Sequence, residues 1–206
     1  LVQQWRPDVI HTHLFHADAA ARLATIALRP RAALVHTVQT AEGRFRPWRH
    51  WLARFAPGRY ARIVAVSASV LHAHQRGTHL PESMYQVIPN GADTARFAPD
   101  PSARRQVRQE WGLADDQPVA AMVGRLSPEK GLDCIMKAWP LLEARMPAAR
   151  LVVAGDGSLR PAVEAFAREH ARTVRYLGFV NDVARVYQAA DVLAMPSLWE
   201  GLPLAG

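Results

Sequence analysis

The sequence predicts an α/β protein built from two doubly wound domains, each with a parallel sheet. Short runs rich in Val and Ile alternate with longer amphipathic stretches, a pattern typical of strands joined by crossover helices. The segment 92–101 interrupts this alternation, because it lacks periodicity and carries Pro99 and Pro101. We therefore expect one domain over residues 1–95 and a second over residues 96–206.

In the first domain, each β-branched run bounded by turn residues or by a helical stretch is expected to form a strand. Tryptophan, leucine and phenylalanine recur over 47–55 at the spacing of one helix face. Ser67 can cap the helix after the third strand, because its hydroxyl can accept a hydrogen bond from a free amide of the first turn. The predicted strands are 8–13, 33–38, 62–66 and 85–88, and the predicted helices are 18–28, 47–55 and 68–74.

The second domain repeats the alternation. Gly112 is expected to end its first helix, since glycine readily adopts the left-handed conformation that closes helices. Pro161 is expected in the first turn of a later helix, where an amide donor is not needed. The predicted strands are 119–123, 149–154, 174–177 and 192–195, and the predicted helices are 104–111, 132–145, 159–170 and 183–189.

Composition excludes some classes of protein. The chain is 50% hydrophobic, yet it has no uninterrupted apolar run of about 18 residues, so no transmembrane helix is expected. Cys134 is the single cysteine, which rules out an intramolecular disulfide and a zinc site built from cysteines. We therefore expect a protein of a reducing, cytoplasmic compartment.

The net charge of +7, from 25 basic and 18 acidic residues, favours an anionic partner. Nucleic acid, anionic lipid and a phosphorylated small molecule are the three classes to weigh. Binding to nucleic acid releases counterions and favours clustered cations, whereas the arginines here are scattered along the chain. We therefore expect no nucleic-acid partner.

The sequence Gly-Arg-Leu-Ser-Pro-Glu-Lys-Gly at 124–131 is a candidate anion site. It lies between a predicted strand and a predicted helix, at the edge where open α/β sheets bind ligands. The guanidinium of Arg125 and the ammonium of Lys130 could converge on one phosphate, and the following helix would add amide donors. From the residues alone, an exposed loop with two solvated charges is an equally good interpretation.

Two other loops are less specific. Gly155 and Gly157 follow a predicted strand, but a dinucleotide fingerprint needs a third glycine at position 160, which is Arg160. A tight turn is therefore the favoured role of the two glycines. Glu200 also follows a strand and precedes Gly201. Its carboxylate could accept hydrogen bonds from sugar hydroxyls, or it could simply lie at the positive end of a helix.

Histidines cluster at the end of the first predicted strand. His11 and His13 would lie on one face of that strand, and His16 follows. A metal site, and with it a metal-dependent hydrolase, is one hypothesis for this spacing. No carboxylate or cysteine cluster accompanies the histidines, so hydrogen bonding of a histidine to a sugar hydroxyl in a cleft between the domains is the favoured hypothesis.

Five motifs in this order resemble one family across nearly the whole chain, the retaining glycosyltransferases of family GT4, which have the GT-B fold. The resemblance implies two Rossmann-like domains facing a cleft, with a nucleotide-diphosphate sugar bound mainly by the second domain. It implies no metal ion and no other cofactor. The motifs are Asp-Val-Ile-His-Thr-His at 8–13, Val-Ile-Pro-Asn-Gly-Ala-Asp-Thr-Ala-Arg-Phe at 87–97, the loop 124–131, Tyr-Leu-Gly-Phe-Val-Asn-Asp at 176–182 and Glu-Gly-Leu-Pro-Leu-Ala-Gly at 200–206.

The same resemblance implies roles for individual residues. Arg125 and Lys130 would hold the donor diphosphate and stabilise it as a leaving group, and Glu200 would contact the transferred sugar. His13, or His11 if the register differs, would approach that sugar from the first domain. The implied catalytic residues are His13 and Glu200, and the implied substrate-binding residues are Gly124, Arg125, Lys130, Val180, Gly201 and Leu202.

The implied reaction is transfer of a sugar, with retention of anomeric configuration, to a glycan, a lipid-linked acceptor or a small molecule in polysaccharide or glycolipid biosynthesis. An epimerase or hydrolase of the same fold, or a nucleotide-sugar-binding module without catalysis, are the alternatives. The arginines and aromatic residues of 43–62 could contact an anionic membrane, although packing of the aromatic stripe on the sheet is favoured.

Two features of the family pattern fall outside the 206 residues. The second acid of the family's Glu-x7-Glu motif would stand at position 208, and the glycine-rich loop of the first domain would precede Leu1. We therefore expect both domains to be incomplete in this chain, and the 206 residues alone to be inactive.

Overall fold

The computed structural model describes residues 2–28, 31–40 and 60–204. Its contacts form two compact units, one of residues up to 91 together with 200–204, and one of residues 92–199. The boundary lies four residues before the expected one, and 200–204 packs with the first unit rather than with the second. The predicted helix 47–55 and most of the segment 43–62 lie outside the described residues.

The first unit contains a four-stranded parallel sheet. Its strands are β1 (Val9–His13), β2 (Ala33–Val38), β3 (Tyr60–Ala65) and β4 (Tyr85–Val87), and its helices are α1 (Val2–Trp5), α2 (Leu14–Leu28) and α3 (Ala68–Thr78). The strand order is β1-β2-β3-β4, with α2 between β1 and β2 along the chain and α3 between β3 and β4. The predicted class and strand positions are confirmed here.

The helix starts depend on their caps. Ser67 caps α3 as expected, since its hydroxyl accepts a hydrogen bond from Val70 N at 3.3 Å. This helix continues past the predicted end at 74 and closes at His79, which has a left-handed backbone. Helix α2 begins four residues before Asp18, and the Asp18 side chain is buried instead of capping the helix.

Asp18 is the centre of a buried polar cluster in the first unit. Tyr60 Oη lies 2.8 and 2.7 Å from the two carboxylate oxygens, Arg22 Nη1 lies 3.9 Å from one of them, and His36 Nδ1 lies 3.7 Å from the other. Burial lowers the pKa of His36, against the opposing effect of the Asp18 charge. This cluster joins α2 to β2 and β3 on one face of the sheet.

The second unit also contains a four-stranded parallel sheet. Its strands are β5 (Val119–Val123), β6 (Arg150–Ala154), β7 (Val174–Gly178) and β8 (Val192–Leu193), and its helices are α4 (Pro101–Glu110), α5 (Leu132–Arg145), α6 (Arg160–Glu169) and α7 (Val183–Ala189). The strand order is β7-β6-β5-β8, the doubly wound arrangement that the sequence predicts. Helix α4 begins at Pro101 rather than at 104, because Asp100 accepts hydrogen bonds from the amides of Ser102 and Ala103.

A buried arginine ties α4 to the rest of this unit. Arg108 is 1% exposed. Its Nη1 donates to three carbonyl groups after α4, and its Nε donates to Ala189 O at 3.0 Å. Its Nη2 donates to Asp191 Oδ2 at 2.8 Å, and Asp191 also accepts from Val119 N at 2.8 Å and from Arg104. The network therefore fixes α4 and α7 at the start of β5.

None of the helices in the described ranges combines the length and the apolar content needed to cross a lipid bilayer.

Replacing Arg108 by Met should lower the free energy of unfolding by about 3 kcal/mol or more, because buried carbonyl groups and a carboxylate lose their donor. Urea unfolding followed by circular dichroism measures the change. Arg105→Met, on the exposed face of the same helix, is the matched control and should shift stability by about 0.5 kcal/mol or less. Equal effects of the two substitutions would contradict this account of Arg108.

Stability should fall in acid partly through Asp191. Burial raises the pKa of Asp191, but the hydrogen bond from the Val119 amide and the charges of Arg104 and Arg108 outweigh it and hold that pKa below its usual range. Such a carboxylate stabilises the fold above the unfolded pKa, about 3.9, and loses this contribution as pH falls through the folded pKa. The urea midpoint of the native chain should therefore drop more steeply below about pH 4 than that of Asp191→Asn. Parallel pH profiles would refute the assignment.

Candidate functional site

A cleft of about 390 Å³ opens at the carboxyl ends of β5, β6 and β7 in the second unit. Five apolar side chains form most of its wall, and Arg125 and Asp156 are its ionisable members. The lining residues are Val123, Gly124, Arg125, Ala154, Gly155, Asp156, Phe179, Val180 and Val183. The cleft therefore combines an apolar wall with one basic and one acidic side chain, at the edge where open α/β sheets bind ligands.

Backbone contact between loops shapes one side of this cleft. Gly124 N donates to Ala154 O at 3.0 Å, and Gly155 N donates to Gly178 O at 2.7 Å. A Cβ at Gly155 would lie 1.8 Å from Gly124 O, and the Gly155 φ of +142° is rarely adopted by other residues. The cleft keeps its shape because no side chain separates these two loops.

A second glycine lies where the same two loops touch. Leu126 N donates to Asp156 O at 2.9 Å, and Leu159 N donates to Leu126 O at 2.9 Å. A Cβ at Gly157 would lie 2.4 Å from Leu126 O. Arg160 N donates to Gly157 O at 3.1 Å, which forms the tight turn that the sequence predicts, and both glycines also let the two loops touch.

Arg125 is held at the mouth of the cleft by a carboxylate of its own loop. Its side chain is 71% exposed, and its Nη2 lies 3.4 Å from Glu129 Oε1. The hydroxyl of Ser127 donates to the same oxygen at 2.6 Å. That hydrogen bond, with help from the charges of Arg125 and Lys130, holds the pKa of Glu129 below its usual range although burial opposes the change. Glu129 is therefore ionised at neutral pH and orients the guanidinium.

Lys130 ends a short 3-10 turn in this loop and is half-buried, but it is not among the lining residues of the cleft. Gly131 follows with a φ of +69°, and a Cβ there would lie 2.1 Å from Pro196 O. Leu198 N donates to Glu129 O at 2.8 Å. The segment 196–198 is therefore packed directly on the loop that carries Arg125 and Lys130.

His13, at the carboxyl end of β1, is exposed in the first unit. Gln39 Nε2 lies 3.3 Å from its Nδ1, and the ring centroids of His11 and His13 are 4.5 Å apart. His11 Nε2 pairs with Thr37 Oγ1 at 2.8 Å. Within the described ranges, no group of three histidine, cysteine or acidic side chains is arranged to hold a metal ion.

Glu200, Gly201 and Leu202 also lie in the first unit. Gly201 packs against the backbone of Gln39, where a Cβ would lie 1.9 Å from Gln39 O. Gln39 therefore contacts Gly201 through its backbone and His13 through its side chain. None of the motifs identified from the sequence includes Gln39, although a polar residue directly after the predicted strand 33–38 is the pattern that could have indicated it.

The candidate residues thus form two groups. Gly124, Arg125 and Val180 line the cleft of the second unit, with Lys130 in the same loop. His13 and the segment 200–202 belong to the first unit, where Gln39 connects them.

Gly155→Ala should destabilise the protein by about 3 kcal/mol, because the new methyl group meets a backbone oxygen and the backbone conformation is unfavourable. Thermal unfolding monitored by calorimetry measures this change. Gly91→Ala is the control, since a Cβ at Gly91 meets no atom within 4 Å. A Gly155→Ala protein as stable as the control would show that the two loops are not tightly packed.

Comparison with known proteins gives matches over both units. A family model described as Glycosyltransferase Family 4 matches residues 1–96, and one described as Glycosyl transferases group 1 matches residues 117–205. The GDP-mannose-dependent alpha-(1-6)-phosphatidylinositol monomannoside mannosyltransferase of Mycolicibacterium smegmatis is 31% identical over 159 residues, 75% of this chain and 37% of that protein. The UDP-Gal:alpha-D-GlcNAc-diphosphoundecaprenol alpha-1,3-galactosyltransferase of Escherichia coli is 29% identical over 216 residues, 100% of this chain and 56% of that protein.

Solved structures share the fold. Anabaena Alr3699/HepE in complex with UDP and glucose superposes with a TM-score of 0.80 at 24% identity, over 95% of this chain and 54% of that one. WaaG, a glycosyltransferase involved in lipopolysaccharide biosynthesis, superposes with a TM-score of 0.65 at 21% identity, over 93% of this chain and 61% of that one. The chain spans about half or less of the length of the curated relatives described above. The family matches and the two Rossmann-like units show that this chain belongs to glycosyltransferase family 4, with the GT-B fold.

Proposed function

We propose that the protein is a retaining glycosyltransferase that moves a sugar from a nucleotide-diphosphate sugar to an acceptor. The observation that carries this proposal is the cleft of the second unit, in which an apolar wall stands next to the exposed guanidinium of Arg125. A nucleotide diphosphate has the same two parts, a flat base and a polyanion. The names of two relatives, which refer to GDP-mannose and to UDP-Gal, support this donor class.

The base is proposed to lie against the apolar part of the cleft. Val123, Val180 and Val183 offer apolar contact, and Phe179 at the rim is 73% exposed. Burying the faces of a base against such side chains is favourable by about 25 cal/mol per Å² of apolar area. The backbone of Val180 is the proposed polar contact for the edge of the base.

The diphosphate is proposed to bind the loop that follows β5. The fork of Arg125 suits two phosphate oxygens, and Lys130 adds a compact charge five residues later. Negative charge grows on the diphosphate as the bond to the sugar breaks. Cations placed beforehand therefore stabilise the transition state more than the bound donor.

The sugar is proposed to lie near Glu200 and His13, with the carboxylate accepting hydrogen bonds from sugar hydroxyls. In the transfer, the bond from the anomeric carbon to the donor phosphate oxygen breaks, and the acceptor oxygen bonds to the same face of that carbon. The acceptor proton passes to a donor phosphate oxygen. This scheme needs no basic carboxylate and no metal ion.

A lipid-linked acceptor is the proposed acceptor class. The names of two relatives refer to a phosphatidylinositol monomannoside and to a diphosphoundecaprenol-linked sugar. A lipid carrier keeps its sugar at a membrane surface, so a peripheral location on the cytoplasmic face is proposed with it. Contact between the basic side chains of the protein and anionic lipid headgroups is proposed with that location.

Calorimetric titration with UDP and with GDP, in buffer containing EDTA, tests the donor site. One nucleotide should bind without metal, and Arg125→Ala combined with Lys130→Ala should weaken binding by about 100-fold or more, since each charged hydrogen bond contributes about 1.5–3 kcal/mol.

The matched control for this titration is Arg105→Ala combined with Lys137→Ala, which removes the same charges from exposed helix positions and should leave affinity unchanged. Equal loss in both double variants would refute a specific diphosphate site. Binding without sugar transfer by the full-length protein would instead support the non-catalytic module.

A further inference from the structure

Segment 200–204 is attached to the first unit through two successive carbonyl groups. Ser67 Oγ donates to Gly201 O at 3.0 Å, and Asn90 Nδ2 donates to Leu202 O at 3.0 Å. The Leu202 side chain packs against the buried core of the same unit. The peptide planes that follow Gly201 and Leu202 are therefore oriented by side chains far away in the sequence.

The fit of Gly201 adds a steric constraint. Gln39 O and the Gln39 carbonyl carbon would lie 1.9 and 2.8 Å from a Cβ at position 201. Both are backbone atoms, so they cannot turn aside as the end of a flexible side chain would. The side chain of Gln39 also contacts His13. Gln39 therefore links His13 to Gly201, the residue that directly follows Glu200.

Both donors are themselves fixed by the fold. Ser67 is the cap of α3, and its hydroxyl accepts a hydrogen bond from Val70 N while it donates to Gly201 O. One proton and two lone pairs allow a hydroxyl to do both. Asn90 follows β4, where Ile88 N donates to Ala65 O at 3.0 Å and continues the sheet.

We propose that Ser67 and Asn90 are positioning residues that place the Glu200 carboxylate against the transferred sugar. This inference rests on the proposed function, in which Glu200 contacts that sugar. Neither residue touches the substrate in this account, and each acts through a carbonyl group that follows Glu200. A shift of about 1 Å in a group that positions substrate can reduce the rate by about 10²-fold.

Cleavage by a protease specific for the bond after glutamate tests the attachment without any assay of activity. In Ser67→Asp the new side chain still caps α3 but places a carboxylate against Gly201 O, and in Asn90→Asp a carboxylate replaces the amide donor. Cleavage between Glu200 and Gly201 should become about tenfold faster in each variant, relative to cleavage after Glu82 in an exposed turn.

Matched controls introduce the same negative charge nearby. Ala68→Asp lies in the first turn of the same helix, and Gln86→Glu lies on β4; both native side chains are exposed, and neither makes a described hydrogen bond to 200–204. The controls should be cleaved after Glu200 at the native rate. Native cleavage rates in Ser67→Asp and Asn90→Asp would overturn the attachment and the inference with it.

Turnover by the full-length protein tests the positioning role. In Ser67→Asp and Asn90→Asp, kcat should fall by about 10²-fold, while KM for the nucleotide sugar and the affinity for the free nucleotide diphosphate change less than about twofold, because the nucleotide cleft consists of residues of the second unit. Ser67→Thr retains the hydroxyl, and its kcat should equal that of the native protein. Loss of affinity in parallel with kcat, or native kcat in variants that are cleaved quickly, would overturn the positioning role.

Failure of the inference differs from failure of the proposed function. If the native protein transfers no sugar but the cleavage results are as expected, the attachment stands and the proposed function is refuted, and the catalytic purpose of the attachment is refuted with it. If the native protein is active but the variants retain both protection and kcat, the positioning role alone is refuted.

Discussion

The second unit depends on direct contact between the backbones of two loops at the carboxyl edge of its sheet. Gly124 O occupies the space that a side chain at Gly155 would need, and Leu126 O does the same at Gly157. This proximity lets the loop after β5 hydrogen bond to the loop after β6. The cleft wall, the direction of Arg125 and the start of α5 all follow from the path of that first loop.

Arg125 combines exposure with a weak partner, and this combination suits a ligand contact. Its ion pair with Glu129 has one end largely in water, and such pairs contribute about 0–1 kcal/mol. An anion that enters the cleft can therefore replace Glu129 as the partner of the guanidinium with only a small loss of free energy. Glu129 itself stays in place, because Ser127 donates to it and its own carbonyl accepts from Leu198 N.

Local patterns predict much of this fold. The bounds of β2, β5, α5 and α7 follow from periodicity and from flanking turn residues, which act over a few positions. The starts of α2 and α4 are less predictable. Asp18 and Asp100 are both acidic residues near a helix start, yet one is buried against Tyr60 and the other caps a helix. Tertiary contacts alone distinguish the two.

The site is predictable in its charged loop and less so in its support. Arg125 and Gly124 can be identified because their residue types carry the chemistry. Ser67 satisfies the pattern of a helix cap completely, so nothing in the sequence indicates its second hydrogen bond, to a residue 134 positions away. Asn90 likewise fits a turn, and its partner is 112 positions away. Contacts of this range depend on the assembled fold.

The two parts of the candidate site share one kind of constraint. In the nucleotide cleft a backbone oxygen lies where a side chain at Gly155 would be, and Gln39 O does the same at Gly201. Segment 200–204 adds two hydrogen bonds from side chains, of about 1 kcal/mol each, and the packing of one apolar side chain on the core of the first unit. These added contacts belong to the first unit alone, so substitutions that remove the two donors should shift Glu200 and leave the cleft of the second unit unchanged.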